Sequence, residues 1–201
     1  MSVPIAAHLG HLFTGENLTA KNRRYCINSI VLLFIPAFTK EGDERAIFAG
    51  GCFWGIQYQM KHIPGVIQAT CGYTGGHVIN PTYKEVSSHS TGHYEAVELL
   101  FDPKKISYED LAKRFFECID PEQKNGQGPD SGPQYASVVF YLTMAQKMTA
   151  EKLIGILQSK GLNVATKVLP AQIFYPAEEY HQDYYEKTGK KPSCQLPVKR
   201  F

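Results

Sequence analysis

The sequence predicts an α+β fold, a ferredoxin-like two-layer sandwich with a mixed sheet and helices, flanked by irregular N- and C-terminal segments. Segments with strand and helix patterns alternate irregularly and differ in length, which is typical of layered α+β domains. No G-x-G-x-x-G or Walker sequence indicates a doubly wound nucleotide-binding fold. The 201 residues are enough for one good-sized domain with an appendage.

The first half of this fold follows from hydrophobic spacing and turn residues. Residues 45–49 read as a short strand that ends at two glycines, and 53–62 have the spacing of a helix stopped by Pro64. Strand-like residues at 66–73 lead into a loop rich in Gly, Thr and Asn at 72–81. The mostly apolar stretch 95–101 predicts a buried strand.

The second half follows from capping residues and further apolar runs. Ser107 is a weak N-cap for a helix that runs through Ile119, and Thr143 is an N-cap for an amphipathic helix over 144–160 that Gly161 ends. The remaining expected segments are a polar loop at 125–133, strands at 134–142 and 164–169, a last helix at 176–187 that Gly189 ends, and an irregular tail at 190–201.

Composition and charge exclude several classes of protein. Hydrophobic residues make up 43% and charged residues 20%, which indicates a globular chain. The formal net charge of +2 gives no reason to expect a surface for nucleic acid or anionic membranes. The longest apolar run, 30–38, is interrupted by Pro36 and is far short of the ~20 residues of a membrane-spanning helix. The basic cluster 21–24 starts too far into the chain for a secretion signal, so we expect a cytoplasmic protein.

The cysteine pattern favours free thiols over structural disulfides or a metal site. The five cysteines are an odd number without a C-x-x-C pair: Cys26, Cys52, Cys71, Cys118 and Cys194. Neither a zinc ribbon nor a thioredoxin-like redox pair is therefore expected. We expect cytosolic thiols, of which one or more is reactive.

Cys52 is the strongest candidate for a reactive thiol. It falls where the strand at 45–49 gives way to the helix at 53–62, so the positive end of a helix dipole would favour its thiolate. Glycines on both sides allow a sharp turn and close approach of a substrate. Phe53 and the only tryptophan, Trp54, could line an apolar pocket beside the sulfur. A small buried cysteine and ordinary core packing of the two aromatics are the alternatives.

A series of motifs, in order, resembles the A-type peptide methionine sulfoxide reductases. The likeness covers about residues 44–194, and the co-occurrence is far more specific than any one motif. The matching stretches are GCFWG at 51–55, GYTGG at 72–76, NPTY at 80–83, TGHYEAV at 91–97, Asp130 with Gln134 and Tyr135, and AEEYHQ at 177–182.

This resemblance implies roles for individual residues. Cys52 would attack the sulfur of methionine S-sulfoxide, free or in proteins, and Glu95 would protonate the sulfoxide oxygen. Tyr83 and Tyr135 would donate hydrogen bonds to that oxygen, and Asp130 would order the polar side of the pocket. From the residues alone, an exposed carboxylate at the start of a strand is the favoured interpretation of Glu95, and the other three residues have ordinary loop or strand-end interpretations.

The resemblance also implies a recycling step that needs a second thiol. Attack by Cys52 leaves a sulfenic acid, which a resolving cysteine would convert to a disulfide that a thioredoxin-type dithiol reopens. Cys194 is the candidate because it lies in the irregular tail. Cys71 on a predicted strand and Cys118 near a helix end are expected in the core. The tail departs from the glycine-rich tail usual in the family. No metal or flavin is implied.

Residues 1–43 resemble a fragment of a different enzyme, ending in a polar linker at 39–43. Stretches within about residues 7–37 are similar to the C-terminal end of the B-type methionine sulfoxide reductases. The residues that match active-site positions of that family are His8, His11, Arg24, Cys26 and Asn28. Most of a B-type domain lies outside this segment, so we expect a truncated remnant without B-type activity, followed by an A-type domain at 44–201.

Two other functions compete with sulfoxide reduction. A generic thiol peroxidase or disulfide oxidoreductase would also use an activated Cys52 and a resolving Cys194, but would not need Phe53, Trp54 and Glu95 together. A binding module for methionine-rich or oxidised segments would need the apolar pocket but not the thiol.

Overall fold

The computed structural model describes residues 10–14, 23–27, 41–192 and 195–201, with only the backbone in the first two ranges. The chain divides into two compact units, Met1–Lys40 and Glu41–Phe201. In the first, β1 (Gly10–Thr14) pairs antiparallel with β2 (Arg23–Ile27), so that the Cα atoms of His11 and Cys26 are opposite each other. The matched residues His8 and Asn28 lie outside the described residues.

The larger unit is built on a six-stranded mixed sheet. Its strands are β3 (Glu44–Ala49), β4 (Val66–Thr74), β5 (Tyr94–Phe101), β8 (Val138–Tyr141), β9 (Lys167–Pro170) and β10 (Tyr175–Pro176). The order is β10-β4-β5-β3-β8-β9, and only the pairing of β8 with β9 is parallel. Its helices are α1 (Phe53–Lys61), α2 (Tyr83–Ser87), α3 (Tyr108–Cys118), α4 (Met144–Ser159) and α5 (Tyr184–Thr188).

Four of these strands and two helices reproduce the predicted ferredoxin-like arrangement. The chain order β3-α1-β4-β5-α3-β8 gives two crossovers, each joining strands that flank a third strand of the sheet. Side chains of β3 alternate between the two faces, since Ala46 and Phe48 join the core under α1, α3 and α4 while Ile47 and Ala49 pack on the opposite face. The α+β prediction is confirmed.

The predicted strand 134–142 is wrong in its first half. Residues Pro133–Tyr135 form a 3-10 turn, and β8 begins only at Val138. Gly132 precedes the turn at a φ of +141°, and the ring of Pro133 fixes a backbone angle suited to a helical first residue. The turn carries Tyr135 off the sheet. In the preceding loop, two short strands pair as a hairpin, β6 (Gly126–Gln127) and β7 (Asp130–Ser131).

The predicted helix 176–187 is wrong for most of its length. Pro176 lies in the edge strand β10, residues Glu179–His181 form a 3-10 turn, and only α5 is helical. The side chain of Gln182 accepts a hydrogen bond from the backbone N–H of Cys71 at 2.8 Å and donates one to its carbonyl at 2.9 Å. These bonds hold the segment against the sheet, where the boundary residues Pro176 and Gly189 had predicted a helix.

Other differences are confined to ends and one short helix. The strand predicted at 164–169 begins at Lys167, and α4 keeps its predicted Thr143 cap, whose hydroxyl accepts from the backbone N–H of Gln146. The missed helix α2 starts from a capping box, in which Thr82 and Glu85 bond each other's backbone N–H groups. No helix among the described residues is long and apolar enough to cross a bilayer.

Candidate active site

Cys52 lies between the end of β3 and the first residue of α1, as its sequence position predicted. It is the N-cap residue of α1 and is half-buried against the main core. Gly51 makes the turn at a φ of +82°, which residues with a side chain rarely adopt, and its N–H donates to the carbonyl of Tyr135 at 3.0 Å. Cys52 therefore lies at the N-terminus of a nine-residue helix, and the positive end of the helix dipole there favours a thiolate.

Glu95 is buried beside this turn, so its alternative reading as an exposed carboxylate is excluded. Its side chain leaves β5 with only 3% of the residue exposed, and Oε2 accepts a hydrogen bond from the backbone N–H of Phe53 at 3.1 Å. Burial, with a smaller contribution from the negative charge of Asp130, raises the pKa of Glu95 from 4.5 to about 8, although the bond from Phe53 acts in the opposite direction. At neutral pH this carboxyl group is mostly protonated and can donate a proton.

Tyr83, Tyr135 and Asp130 come from three separate elements and meet at the same place. Tyr83 and Tyr135 lie close to each other, and the negative charge of Glu95 acts to raise the pKa of both. Burial raises the pKa of each tyrosine, so both remain protonated donors. The carboxylate of Asp130 accepts the backbone N–H of Cys52. The structure thus brings together the five residues that the sequence singled out for catalysis.

Phe53 and Trp54 occupy different environments, as expected for neighbours on a helix. Phe53 is 1% exposed, and its ring lies 5.8 Å from that of Tyr73. Trp54 is partly exposed and stacks on Tyr184 with ring centroids 3.7 Å apart and planes 5° from parallel. The centroids of the two rings are 6.4 Å apart, and Trp54, the more exposed of the two, presents apolar surface at the start of α1, next to Cys52.

His181 and Glu178 position the aromatic residues around Cys52, and the sequence alone assigned no role to either of them. The buried ring of His181 accepts the indole N–H of Trp54 on Nδ1 at 3.1 Å and lies 4.6 Å from the ring of Tyr83. Glu178 accepts the hydroxyl of Tyr73 and the backbone N–H of Tyr83, each at 2.9 Å. Both belong to the stretch AEEYHQ at 177–182, so this motif was the only sequence signal for their importance. The contacts that they make with Trp54, Tyr73 and Tyr83 could not be predicted from their spacing.

The other two described cysteines of the larger unit are core residues, as predicted. Cys71 on β4 and Cys118 at the end of α3 are buried free thiols. Burial raises the pKa of Cys71, whose thiol donates to the carbonyl of Phe53 at 3.5 Å. Cys194 lies outside the described residues. Within the described part of the chain, no group of three or more His, Cys, Asp or Glu side chains could hold a metal ion.

The chain matches two family models in separate segments. One described as peptide methionine sulfoxide reductase covers residues 44–201, and one described as a SelR domain covers residues 2–36, the segment that resembles the B-type enzymes. The former match contains every described residue of the site.

Individual relatives agree with the larger match. The peptide methionine sulfoxide reductase MsrA of Methanosarcina acetivorans is 46% identical over 152 residues, which cover 74% of this chain and 81% of the relative. That of Listeria innocua is 47% identical over 152 residues, which cover 74% of this chain and 86% of the relative. The crystal structure of reduced Mxr1 from Saccharomyces cerevisiae matches with a TM-score of 0.74 at 30% identity, over 82% of this chain and 96% of that one.

The matches and the geometry point to the same residues. The family model begins at the first residue of β3 and includes the turn at Cys52, the buried acid and the paired tyrosines. The chain therefore belongs to the peptide methionine sulfoxide reductase family, and its activity is the thiol-dependent reduction of methionine sulfoxide.

Proposed function

We propose that Cys52 reduces the S-epimer of methionine sulfoxide, free or in proteins, with Glu95 as the proton donor. The observation that carries this proposal is the burial of the Glu95 carboxyl group, which accepts a hydrogen bond from the backbone N–H of Phe53, the residue that follows Cys52. This burial raises the pKa of Glu95 to about 8 and so favours the protonated form at neutral pH. A sulfoxide oxygen is a poor leaving group unless it gains a proton. A thiol that only binds or exchanges disulfides would not need an acid of this kind.

In the first step, the Cys52 thiolate attacks the sulfoxide sulfur. The oxygen moves to Cys52 and takes the proton of Glu95, which gives methionine, a sulfenic acid on Cys52 and an ionised Glu95. The cysteine sulfur is oxidised by two electrons and the substrate sulfur is reduced by two. The hydroxyls of Tyr83 and Tyr135 stabilise the negative charge on the oxygen during transfer. Asp130 fixes the backbone at Cys52 and orders the polar side of the pocket.

The substrate methyl group is proposed to lie against Phe53 and Trp54. The sulfoxide sulfur carries an oxygen, a methyl and the rest of the methionine, and these three groups meet different surroundings. The oxygen faces the tyrosines and Glu95, while the methyl faces the aromatic rings. The sulfur is pyramidal, so fixing the oxygen and the methyl leaves two positions, one for the lone pair and one for the rest of the methionine. The direction from which Cys52 approaches is the third constraint, and together the three select one epimer.

The indole position depends on His181, which gives a prediction for substrate binding. His181→Phe keeps an aromatic ring but removes the acceptor for the Trp54 N–H, so we expect kcat/KM to fall about tenfold, the loss that one neutral hydrogen bond implies. Steady-state assays and the fluorescence of Trp54, the only tryptophan, check this. His62→Phe, at an exposed histidine, is the control and should change neither. Unchanged emission and kcat/KM in His181→Phe would remove His181 from this role.

The second step is proposed to join Cys52 to Cys194. The Cys194 thiolate attacks the sulfenic sulfur, which forms a disulfide and releases hydroxide that takes up a proton to become water. Cys71 and Cys118 are buried, and burial raises the pKa of both, so neither is suited to attack. A thioredoxin-type dithiol then reduces the disulfide by exchange. Mxr1 of Saccharomyces cerevisiae, a relative of the same fold, has been solved in complex with Trx2.

Thiol counting in a single turnover tests both steps. With methionine S-sulfoxide and no reductant, the protein should lose two thiols per chain, and peptide mapping should locate them at Cys52 and Cys194. Cys194→Ser should lose one thiol and retain a sulfenic acid on Cys52. If the wild type also loses only one thiol, Cys194 is not the resolving residue. If hydrogen peroxide oxidises Cys52 rapidly while the sulfoxide does not, the protein is a thiol peroxidase.

We further propose that the enzyme works without a metal or flavin and in the cytoplasm. The described site supplies a nucleophile, a proton donor and oxyanion donors from side chains alone. Cys71 and Cys118 are buried free thiols, the state that a reducing compartment maintains. Activity that survives dialysis against a chelator would support the first part, and fractionation of cells would test the second.

For residues 1–43 we propose a B-type segment and linker that do not by themselves supply B-type activity. The segment that matches the SelR model is too short to bury a core of its own. The protein should therefore turn over methionine S-sulfoxide but not the R-epimer. Turnover of the R-epimer that disappears in Cys26→Ser would overturn this proposal.

A further inference from the structure

We propose that Gln195 is a positioning residue that holds the C-terminal tail against α1 and so sets the rate at which the sulfenic acid on Cys52 is resolved. The inference rests on the proposed function, in which Cys194 is the resolving residue. Gln195 follows Cys194 directly in the sequence, and its side chain is described by the structure.

The side chain of Gln195 is buried in a notch made by two glycines of the Cys52 turn. Only 7% of Gln195 is exposed. A Cβ atom built on Gly51 would lie 2.6 Å from Nε2 of Gln195, and one built on Gly55 would overlap Oε1. Gly51 precedes Cys52, and Gly55 lies one helical turn after it. The amide therefore packs directly on the turn that presents the catalytic sulfur.

Shape rather than hydrogen bonding holds Gln195 in this notch. Both amide atoms, Oε1 and Nε2, are buried without a hydrogen-bond partner. Burying polar atoms in this way is unfavourable, so the contact is weaker than a paired amide would be. Gln195 also has a φ of +54°, which residues with side chains rarely adopt. A weak contact suits a tail that must dock for resolution and leave when an external dithiol reduces the disulfide.

The chain after Gln195 is fixed much more firmly. The guanidinium of Arg200 donates to the carbonyls of Phe116 at 3.1 Å and Ile119 at 3.0 Å, and the N–H of Val198 donates to the carbonyl of Glu117 at 2.8 Å. These bonds satisfy carbonyls at the C-terminal end of α3. The tail is thus anchored at its last residues, and Gln195 is the next buried contact toward Cys194.

This arrangement affects the second chemical step and not the first. Cys194 is covalently joined to Gln195, and adjacent Cα atoms are about 3.8 Å apart, so docking of Gln195 beside the Cys52 turn is proposed to limit how far the resolving thiol can be from the sulfenic acid. Confinement raises the effective concentration of the resolving thiol at the sulfenic acid. Attack on the sulfoxide depends on Cys52 and Glu95 and needs no contact from the tail.

Gln195→Ala is the primary test. We expect methionine to form at the wild-type rate in a single turnover, while disulfide formation slows about tenfold and dimedone traps more sulfenic acid on Cys52. Gln195→Met, which keeps the length but not the polar atoms, should restore fast resolution because neither amide atom has a partner. Equal rates of disulfide formation in Gln195→Ala and the wild type would overturn the proposal. A faster first step in Gln195→Ala would also overturn it, because the amide would then obstruct the site.

Substitution of Gly55, which lies on the other side of the contact, supplies an independent test. Gly55→Ala fills the notch and should expel Gln195, with the same slowing of disulfide formation. Gly155→Ala is the matched control, since Gly155 is also inside a helix and a Cβ there would meet nothing within 4 Å. Both changes raise helix propensity equally. If the two variants resolve at the same rate, the notch has no role.

Cys194→Ser separates this inference from the proposed function. If it still forms a disulfide at Cys52, the identity of the resolving cysteine is wrong, and the inference fails with it. If it forms none, while Gln195→Ala resolves as fast as the wild type, the proposed function stands and only the inference fails.

Discussion

Cys52→Ser is expected to abolish reduction of methionine sulfoxide, with a loss of at least about 10³-fold in kcat, because no other described group can take the oxygen from the substrate. A serine hydroxyl is ionised far less readily than a thiol at neutral pH and cannot form a sulfenic acid. Single-turnover formation of methionine measures the effect directly.

Matched cysteine variants make this result specific. Cys71→Ser and Cys118→Ser change buried thiols outside the proposed chemistry, so each should retain the first step once folding is verified by circular dichroism. Iodoacetamide should modify Cys52 faster than it modifies glutathione near neutral pH. Undiminished sulfoxide reduction by Cys52→Ser would exclude a cysteine nucleophile at this position and leave a binding function as the better reading of the pocket.

Glu95→Gln is expected to slow the first step by about 10² to 10³-fold, the contribution typical of a positioned general acid. Glutamine has the shape of the protonated acid and can still accept the backbone N–H of Phe53, but it has no proton to transfer. The wild-type rate should also decline as the pH rises above about 8, where Glu95 loses its proton, and this decline should be absent from the variant. A variant that reduces the sulfoxide at the wild-type rate would exclude Glu95 as the donor.

The same substitution should change stability in the opposite direction. The folded protein raises the pKa of Glu95 from 4.5 to about 8, so between these pH values the unfolded chain releases a proton that the folded chain retains. Ionisation of Glu95 in the unfolded chain therefore lowers the free energy of unfolding progressively as the pH rises from 4.5 to about 8. Glu95→Gln should melt at a higher temperature than the wild type at pH 8, and the difference should shrink toward pH 5. An equal difference at both pH values would contradict this linkage.

Local signals were sufficient where an element is stabilised by its own residues. The Thr143 cap and the positive φ of Gly161 bound α4 close to where the sequence placed it. The turn at Gly51 and Cys52 was also readable, because a short apolar strand, two glycines and a helical pattern follow each other without a gap. These features depend on contacts within a few residues, which is the range that a sequence pattern reports.

Elements held by distant partners were misplaced. Pro176 and Gly189 are typical helix-boundary residues and predicted a helix over 176–187, yet Gln182 bonds the backbone of β4, more than a hundred residues away. Tyr135 was assigned to a strand, although Gly132 and Pro133 direct it into a turn whose carbonyl accepts the N–H of Gly51. The periodicity of hydrophobic residues in strands and helices contains no information on such long-range hydrogen bonds.

The sequence by itself determined the order of the elements, the position of Cys52 at a helix start, and the residues that could take part in the chemistry. Only the tertiary structure decided that Glu95 is a buried, protonated acid, since its pKa depends on the residues that exclude water from it and on the charge of Asp130. It also decided that His181 fixes Trp54 and that Gln195 lies in the notch of Gly51 and Gly55. Ionisation and docking depend on groups brought together by folding, and these are far apart along the chain.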